Sequence, residues 1–150
     1  EEGTISAPVS GHVIPLSQVK DEAFSSGVLG KGVAIVPTEG KVYAPCDGEV
    51  STMFPTGHAV GITGDNRAEI LIHIGMDTVK LDGKYFTRKV ETGAKVKAGD
   101  LLVEFDMDKI MDAGYDITTP VLVTNADDFV DISGEVDKDV KAGEMLISII

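Results

Sequence analysis

Gly32-Val33-Ala34-Ile35-Val36-Pro37-Thr38-Glu39-Gly40-Lys41-Val42-Tyr43-Ala44-Pro45-Cys46-Asp47-Gly48 holds two short apolar runs, Gly32–Val36 and Lys41–Ala44, each closed by a proline and followed by a glycine. Outward from it, runs of the same kind recur at Ala59–Thr63, Glu69–Ile74, Leu101–Phe105, Thr119–Thr124 and Met145–Ile150. Most of the 17 glycines and 6 prolines fall between them. Short runs rich in Val, Ile and Leu, fenced by turn residues about every ten positions, read as an all-β sandwich or barrel. Helix is a minor component. Met107–Ala113 is the clearest helical stretch, opened by Asp106 or Asp108 as N-cap and closed at Gly114, with helical turns expected near Val19–Phe24 and Ala126–Phe129.

Two internal echoes lie at turns. Ala7-Pro8-Val9-Ser10-Gly11-His12-Val13 resembles Ala44-Pro45-Cys46-Asp47-Gly48-Glu49-Val50, and Val96-Lys97-Ala98-Gly99-Asp100-Leu101-Leu102 resembles Val140-Lys141-Ala142-Gly143-Glu144-Met145-Leu146. Glycine supplies the positive φ that such turns demand. No linker or low-complexity stretch divides the chain, so residues 1–150 are expected to form one antiparallel β domain with pseudo-repeated hairpins and a few short helices.

At 150 residues and 43% hydrophobic composition the chain can bury a substantial core. Its net charge of −12 repels phosphate backbones and anionic headgroups, which argues against nucleic acid and membrane surfaces and favours a basic protein partner. No apolar run approaches the roughly 20 residues needed to cross a bilayer. Glu1-Glu2-Gly3-Thr4 has neither the basic nor the apolar region of a signal peptide. One cysteine, Cys46, cannot form an internal disulfide. These features suit a reducing, cytoplasmic setting.

Three histidines can be weighed singly. His12 stands without polar neighbours in sequence and reads as structural or solvated. His58 and His73 each have a polar group two residues away. In a strand, i and i+2 share a face, so Thr56 would sit beside His58 and Gly75 beside His73. A neutral imidazole that acts through one nitrogen needs its proton held on the other, and a hydroxyl or a backbone carbonyl can hold it. His73 is set in an apolar run, Leu71-Ile72-His73-Ile74-Gly75-Met76-Asp77. It therefore reads equally as a core histidine satisfied by a carbonyl or as a reactive one.

Phe54-Pro55-Thr56-Gly57-His58-Ala59-Val60-Gly61 and Glu69-Ile70-Leu71-Ile72-His73-Ile74-Gly75-Met76-Asp77-Thr78-Val79-Lys80-Leu81 resemble the two histidine motifs of the glucose-type IIA component of the phosphoenolpyruvate:sugar phosphotransferase system. The likeness runs nearly end to end, taking in Ala7-Pro8, Gly30-Lys31-Gly32-Val33-Ala34, Ala44-Pro45 and Thr119-Pro120-Val121. The resemblance implies a β-sandwich phosphotransferase component with both histidines in a shallow site. It makes His73 the phosphoryl acceptor from the phosphocarrier HPr and His58 the group that stabilises the phosphoryl in transit. Thr56 and Gly75 would orient them. A cysteine of a IIB domain would receive the group on its way to the sugar. Family correspondence adds a partner-binding collar of Ala23, Phe24, Val28, Leu29, Phe54, Leu71 and Val79 with Asp21 and Asp77 at its rim, a face also open to regulatory protein targets. No metal and no cofactor is implied. Glu22, Lys20 and Gly57 depart from residues often seen at these positions and touch the rim rather than the pair.

Two rivals share fragments of these patterns. His73-x-x-x-Asp77 could supply two ligands of a zinc hydrolase, but a catalytic zinc needs three, and the His-x-His that would complete the set is missing. The Val96–Asp100 turn is like those of biotin- or lipoate-carrying modules, yet the nearest candidate for a modified lysine, Lys109 after Asp108, falls in the predicted helix.

Overall fold

Period-two alternation sorts the side chains of each strand between two faces. In the computed structural model, which describes residues 3–150, Glu69–His73 illustrates it: Ile70 and Ile72 are buried while Leu71 and His73 remain partly open. The signal-peptide reading rests partly on Glu1 and Glu2, which lie outside the described residues. The strands are β1 (Gly3–Ser6), β2 (Gly11–Pro15), β3 (Lys31–Pro37), β4 (Lys41–Tyr43), β5 (Gly48–Met53), β6 (Ala59–Gly64) and β7 (Glu69–His73). They continue as β8 (Phe86–Arg88), β9 (Lys95–Val96), β10 (Leu101–Phe105), β11 (Thr119–Val123), β12 (Ile132–Gly134), β13 (Lys138–Val140) and β14 (Met145–Ile149). All seven runs singled out in the sequence are strands, with ends within one residue of expectation.

The strands form an eight-stranded sheet, β13-β2-β3-β11-β7-β6-β5-β9, and two three-stranded sheets, β1-β14-β12 and β4-β10-β8. Every pairing is antiparallel. The main core draws on all three sheets, with Ile5 and Ile147 from one, Val42 and Leu102 from another, and Ile35, Ile62, Ile72 and Val121 from the large one. The other face of the large sheet carries a smaller cluster of Val19, Phe24, Ala34, Met76 and Leu122, with Ile14, Leu16 and Leu71 packed against it. β11 lies between both clusters, so all five of its residues are buried and its sequence does not alternate.

The sequence echoes mark an internal two-fold relation. Exchanging β13, β2, β3 and β11 with β9, β5, β6 and β7 reproduces the large sheet, and the same exchange turns β1-β14-β12 into β4-β10-β8. Hydrogen bonds repeat accordingly. Ala7 N donates to Glu144 O at 2.7 Å as Ala44 N donates to Asp100 O at 2.8 Å. The halves are also tied to each other, Ser6 N to Pro45 O at 2.9 Å and Tyr43 N to Pro8 O at 2.7 Å. Each echoed turn lies at a corner where the chain passes between a three-stranded sheet and the large one.

Among the described residues there are two helices, α1 (Glu22–Ser25) and α2 (Met107–Asp112). The Asp106 carboxylate caps α2 by accepting from Lys109 N at 3.1 Å, so Asp106 rather than Asp108 opens it. The turn expected over Val19–Phe24 starts later, because the Asp21 carboxylate accepts from Ala23 N at 2.9 Å and Val19 stays extended. Short 3-10 turns occupy Leu16–Gln18 and Ala126–Asp128, and one that the sequence reading did not include spans Thr78–Leu81.

Candidate active site

Backbone register brings the histidines together. Ala59 pairs with His73 between β6 and β7, and Ile74 N extends that ladder by donating to His58 O at 2.7 Å. Two segments 15 positions apart in sequence thus meet at the same end of the neighbouring interior strands β6 and β7. The imidazole centroids lie 5.0 Å apart with planes at 82°. Phe24 of α1 packs 5.0 Å from the His73 ring, and Phe54 meets the His58 ring edge-on at 5.4 Å.

Thr56 does reach His58, its hydroxyl bonding to Nδ1, but not as the strand argument expected. Residues 54–58 form a turn, not a strand. Gly57 takes a φ of 74°, and its N–H donates to Phe54 O at 2.8 Å. This reversal, not a shared strand face, swings Thr56 back onto the ring. The turn also lies close to β8: a Cβ on Gly57 would come 3.1 Å from Phe86 Cβ and 3.2 Å from Arg88 Cγ.

His73 Nδ1 lies 2.8 Å from Gly75 O. A carbonyl can only accept, so the proton of neutral His73 resides on Nδ1 and the lone pair on Nε2. The ring pKa is lowered, chiefly by burial, against the opposing effects of the Gly75 carbonyl, Asp21 and Asp77. His58 is lowered from 6.5 to about 4, by burial first and then by His73. Both rings are therefore uncharged at neutral pH, and His73 Nε2 carries a lone pair rather than a proton. His58 is less constrained, since the Thr56 hydroxyl can either donate to Nδ1 or accept from it.

Around the pair, Phe24 is buried, Phe54 and Leu71 are half-buried, and Asp21 is half-buried with its carboxylate capping α1. Ala23 and Asp77 are exposed. Val28, Leu29 and Val79 are 77%, 40% and 52% exposed, large apolar side chains presented to solvent near α1 and the Thr78–Leu81 turn.

The sequence reading passed over the residues that brace the loop after β7. The Thr78 hydroxyl donates to Ile74 O, Met76 N donates to Asp116 O, and the Asp116 carboxylate accepts from both Thr118 N and Thr118 Oγ1. A threonine four residues after a carbonyl and an Asp-x-Thr triplet are the local signals that could have found them.

The remaining candidates sit elsewhere. His12 is not isolated: its Nδ1 pairs with Asp139 Oδ1 at 2.8 Å across β2 and β13, an exposed contact 127 positions away that sequence neighbours could not reveal. Burial, with Asp47 and Asp65, raises the Cys46 thiol to about 11, leaving it unreactive. Lys109 lies in α2, not at a hairpin tip. Among the described residues, no three His, Cys, Asp or Glu side chains converge to hold a metal, so the zinc-hydrolase alternative lacks its ligand set. No helix among them is long and apolar enough to cross a membrane.

The chain as a whole is similar to known proteins of one family. The family described as "phosphoenolpyruvate-dependent sugar phosphotransferase system, EIIA 1" matches residues 3–129. A beta-glucoside-specific EIIBCA component of a PTS system from Halalkalibacterium halodurans is 52% identical over 149 residues, covering 99% of this chain and 23% of that protein. Its counterpart from Bacillus subtilis is 57% identical over 125 residues, covering 83% of this chain and 20% of that protein. The chain thus spans less than a quarter of the length of these curated relatives. The solved glucose permease IIA from Mycoplasma capricolum superposes with a TM-score of 0.90 at 35% identity, covering 99% of this chain and 96% of that one.

Proposed function

The chain belongs to the phosphoenolpyruvate-dependent sugar phosphotransferase system EIIA 1 family, and on that premise we propose that it works as a single-domain phosphoryl carrier. His73 takes a phosphoryl group from the phosphohistidine of HPr and passes it to the cysteine of a IIB domain at the cytoplasmic face of a sugar permease. The observation that carries this reading is the Nδ1–H bond of His73 to Gly75 O, which leaves Nε2 unprotonated beside a second imidazole.

The chemistry needs placement and charge neutralisation more than covalent work. The His73 Nε2 lone pair attacks phosphorus, the bond from phosphorus to the donor imidazole nitrogen breaks, and that nitrogen recovers its electron pair. In the second transfer the IIB thiolate attacks and the bond to Nε2 breaks. Throughout, the Gly75 carbonyl holds the Nδ1 proton and offsets the positive charge that develops on the ring. For His58 to grip the phosphoryl oxygens it must present Nε2–H, and it does so when the Thr56 hydroxyl donates to Nδ1. The phosphoryl dianion raises the pKa of His58, so its grip is stronger on the phosphorylated state than on the free one.

Val28, Leu29, Val79 and Ala23 offer exposed apolar area to a partner, Phe24, Phe54 and Leu71 are more buried, and Asp21 and Asp77 favour a basic surface. A labelling assay with phosphoenolpyruvate, enzyme I and HPr tests the assignment. Wild type should carry one acid-labile phosphate on His73, His73→Ala none, and His58→Gln should accept the group but fail to deliver it to IIB. Undiminished labelling of His73→Ala would overturn it.

A further inference from the structure

A free histidine side chain prefers its proton on Nε2, so the fold must reverse that preference if His73 is to react there. The reversing atom is Gly75 O, 2.8 Å from His73 Nδ1. That oxygen belongs to the peptide plane joining Gly75 to Met76. The opposite edge of the plane is tied down, because Met76 N donates to Asp116 O at 2.9 Å. The preceding plane is tied as well: its oxygen, Ile74 O, accepts from the Thr78 hydroxyl at 2.5 Å. Gly75 at φ 78° and Asp77 at φ 60° both lie in the left-handed region, so the loop does not hold this shape by local preference alone.

Packing closes the same clamp. A Cβ on Gly75 would come 2.6 Å from Thr78 Cγ2 and 2.8 Å from Asp116 O. Thr78 is fully buried, so no water competes for its hydroxyl. Asp116 is held in turn by its own carboxylate, which accepts from Thr118 N at 2.8 Å and from Thr118 Oγ1 at 2.7 Å. Hydrogen bonds in series polarise one another, so the tie from Asp116 O through the Gly75–Met76 peptide also makes Gly75 O a better acceptor.

We propose that Thr78 and Asp116 are positioning residues: they clamp the two peptide planes flanking Gly75 so that its carbonyl holds the proton of His73 on Nδ1 and keeps Nε2 open. The kinetic consequence rests on the assignment of His73 as acceptor, whereas the tautomer does not. Imidazole nitrogen shifts of nitrogen-15-labelled protein report the tautomer directly, and labelling by phospho-HPr reports the rate.

Thr78→Val removes the hydroxyl at nearly constant volume and Thr78→Ser keeps it. Asp116→Ala removes the side-chain lock and Asp116→Asn keeps an acceptor. The Val and Ala variants should move His73 toward the Nε2–H form and slow phosphoryl acceptance by about 10-fold, the order expected from losing one orienting hydrogen bond. The Ser and Asn variants should stay near wild type, and the His12 signals should be unchanged in all four. If Thr78→Val disturbs the core, Asp116→Ala carries the test, because Asp116 is exposed. Folded Val and Ala variants with an unchanged His73 tautomer would overturn the proposal, as would a rate loss without a tautomer change. Wild type that holds the Nδ1–H form but takes no label would instead refute the carrier role and leave the clamp standing.

Discussion

His58 is a titratable ring in a setting that excludes water, and the conflict has a measurable sign. Its pKa falls from 6.5 in the unfolded chain to about 4 in the fold. Between those values the unfolded state binds a proton that the folded state refuses. The associated stability is whole above pH 6.5 and is lost as pH falls toward 4, about 3 kcal/mol in all. Denaturant unfolding should show this decline in wild type and a shallower one in His58→Gln, which has no ring to titrate; parallel curves would mean that the folded ring protonates freely. His73 is lowered too, and only its neutral form has a lone pair on Nε2. Initial rates at saturating phospho-HPr should therefore hold steady as pH drops to 6.5 and decline only below it. Both histidines stand out in the sequence because each has a polar group two residues away, but that spacing leaves core and reactive readings balanced, and it is the family resemblance that favours a reactive pair. The mechanism of orientation was legible for neither: Gly75 lies beyond the end of β7 in a bend at φ 78°, and Thr56 acts through a turn whose direction depends on the φ of Gly57 and the nearness of β8, so neither shares a strand face with its histidine.

At the scale of elements, α1 is the clearest case of one residue with two duties. It is four residues long, too short to persist alone, and is held by the Asp21 cap and by burial of Phe24 against Met76 and Leu122. Asp21 also raises the pKa of His73 by its charge. Asp21→Ala removes both contributions, and losing the cap should cost about 1 kcal/mol in denaturant unfolding. Asp21→Asn keeps a capping oxygen, so its unfolding midpoint should stay near wild type while its phosphorylation by a basic donor slows and becomes less sensitive to salt. Equal stability losses in the two variants would show that the charge, not the cap, holds α1. Seven of the strands and α2 could be read because their signals are local: apolar runs between turn residues, and Asp106 before an apolar helical face closed at Gly114. The start of α1 was misjudged by a few residues because Val19 is buried by the cluster beneath it while its backbone stays extended. The Thr78–Leu81 turn was missed because it depends on Asp77 in the left-handed region and on Thr78 bonding back to Ile74.

At the scale of the molecule, a two-fold scaffold carries a one-sided site. Gly11 pairs with Pro37 as Gly48 pairs with Gly64, and carrying that register across the sheet sets Val121 opposite Ile72 at the centre and makes Leu122 the counterpart of His73. Leu122 is sealed beneath α1, whereas His73 opens beside it, so α1 both covers one position and flanks the other. The scaffold itself should answer symmetrically. A Cβ on Gly11 would meet Val36 O at 2.1 Å and one on Gly48 would meet Thr63 O at 2.3 Å, both backbone atoms of a neighbouring strand that cannot turn aside. Gly11→Ala and Gly48→Ala should therefore each destabilise by about 3 kcal/mol or more, and by similar amounts, although only Gly48 lies on the half that bears the histidines. Because Ser6 is tied to Pro45 and Tyr43 to Pro8, neither half can open without stripping backbone bonds from the other. Each variant should unfold in a single transition seen alike by circular dichroism and by the His58 and His73 nuclear resonances. An early, separate loss of the histidine signals in Gly48→Ala alone would mean that the halves are independent units, and that the interlocking bonds contribute little to cooperativity.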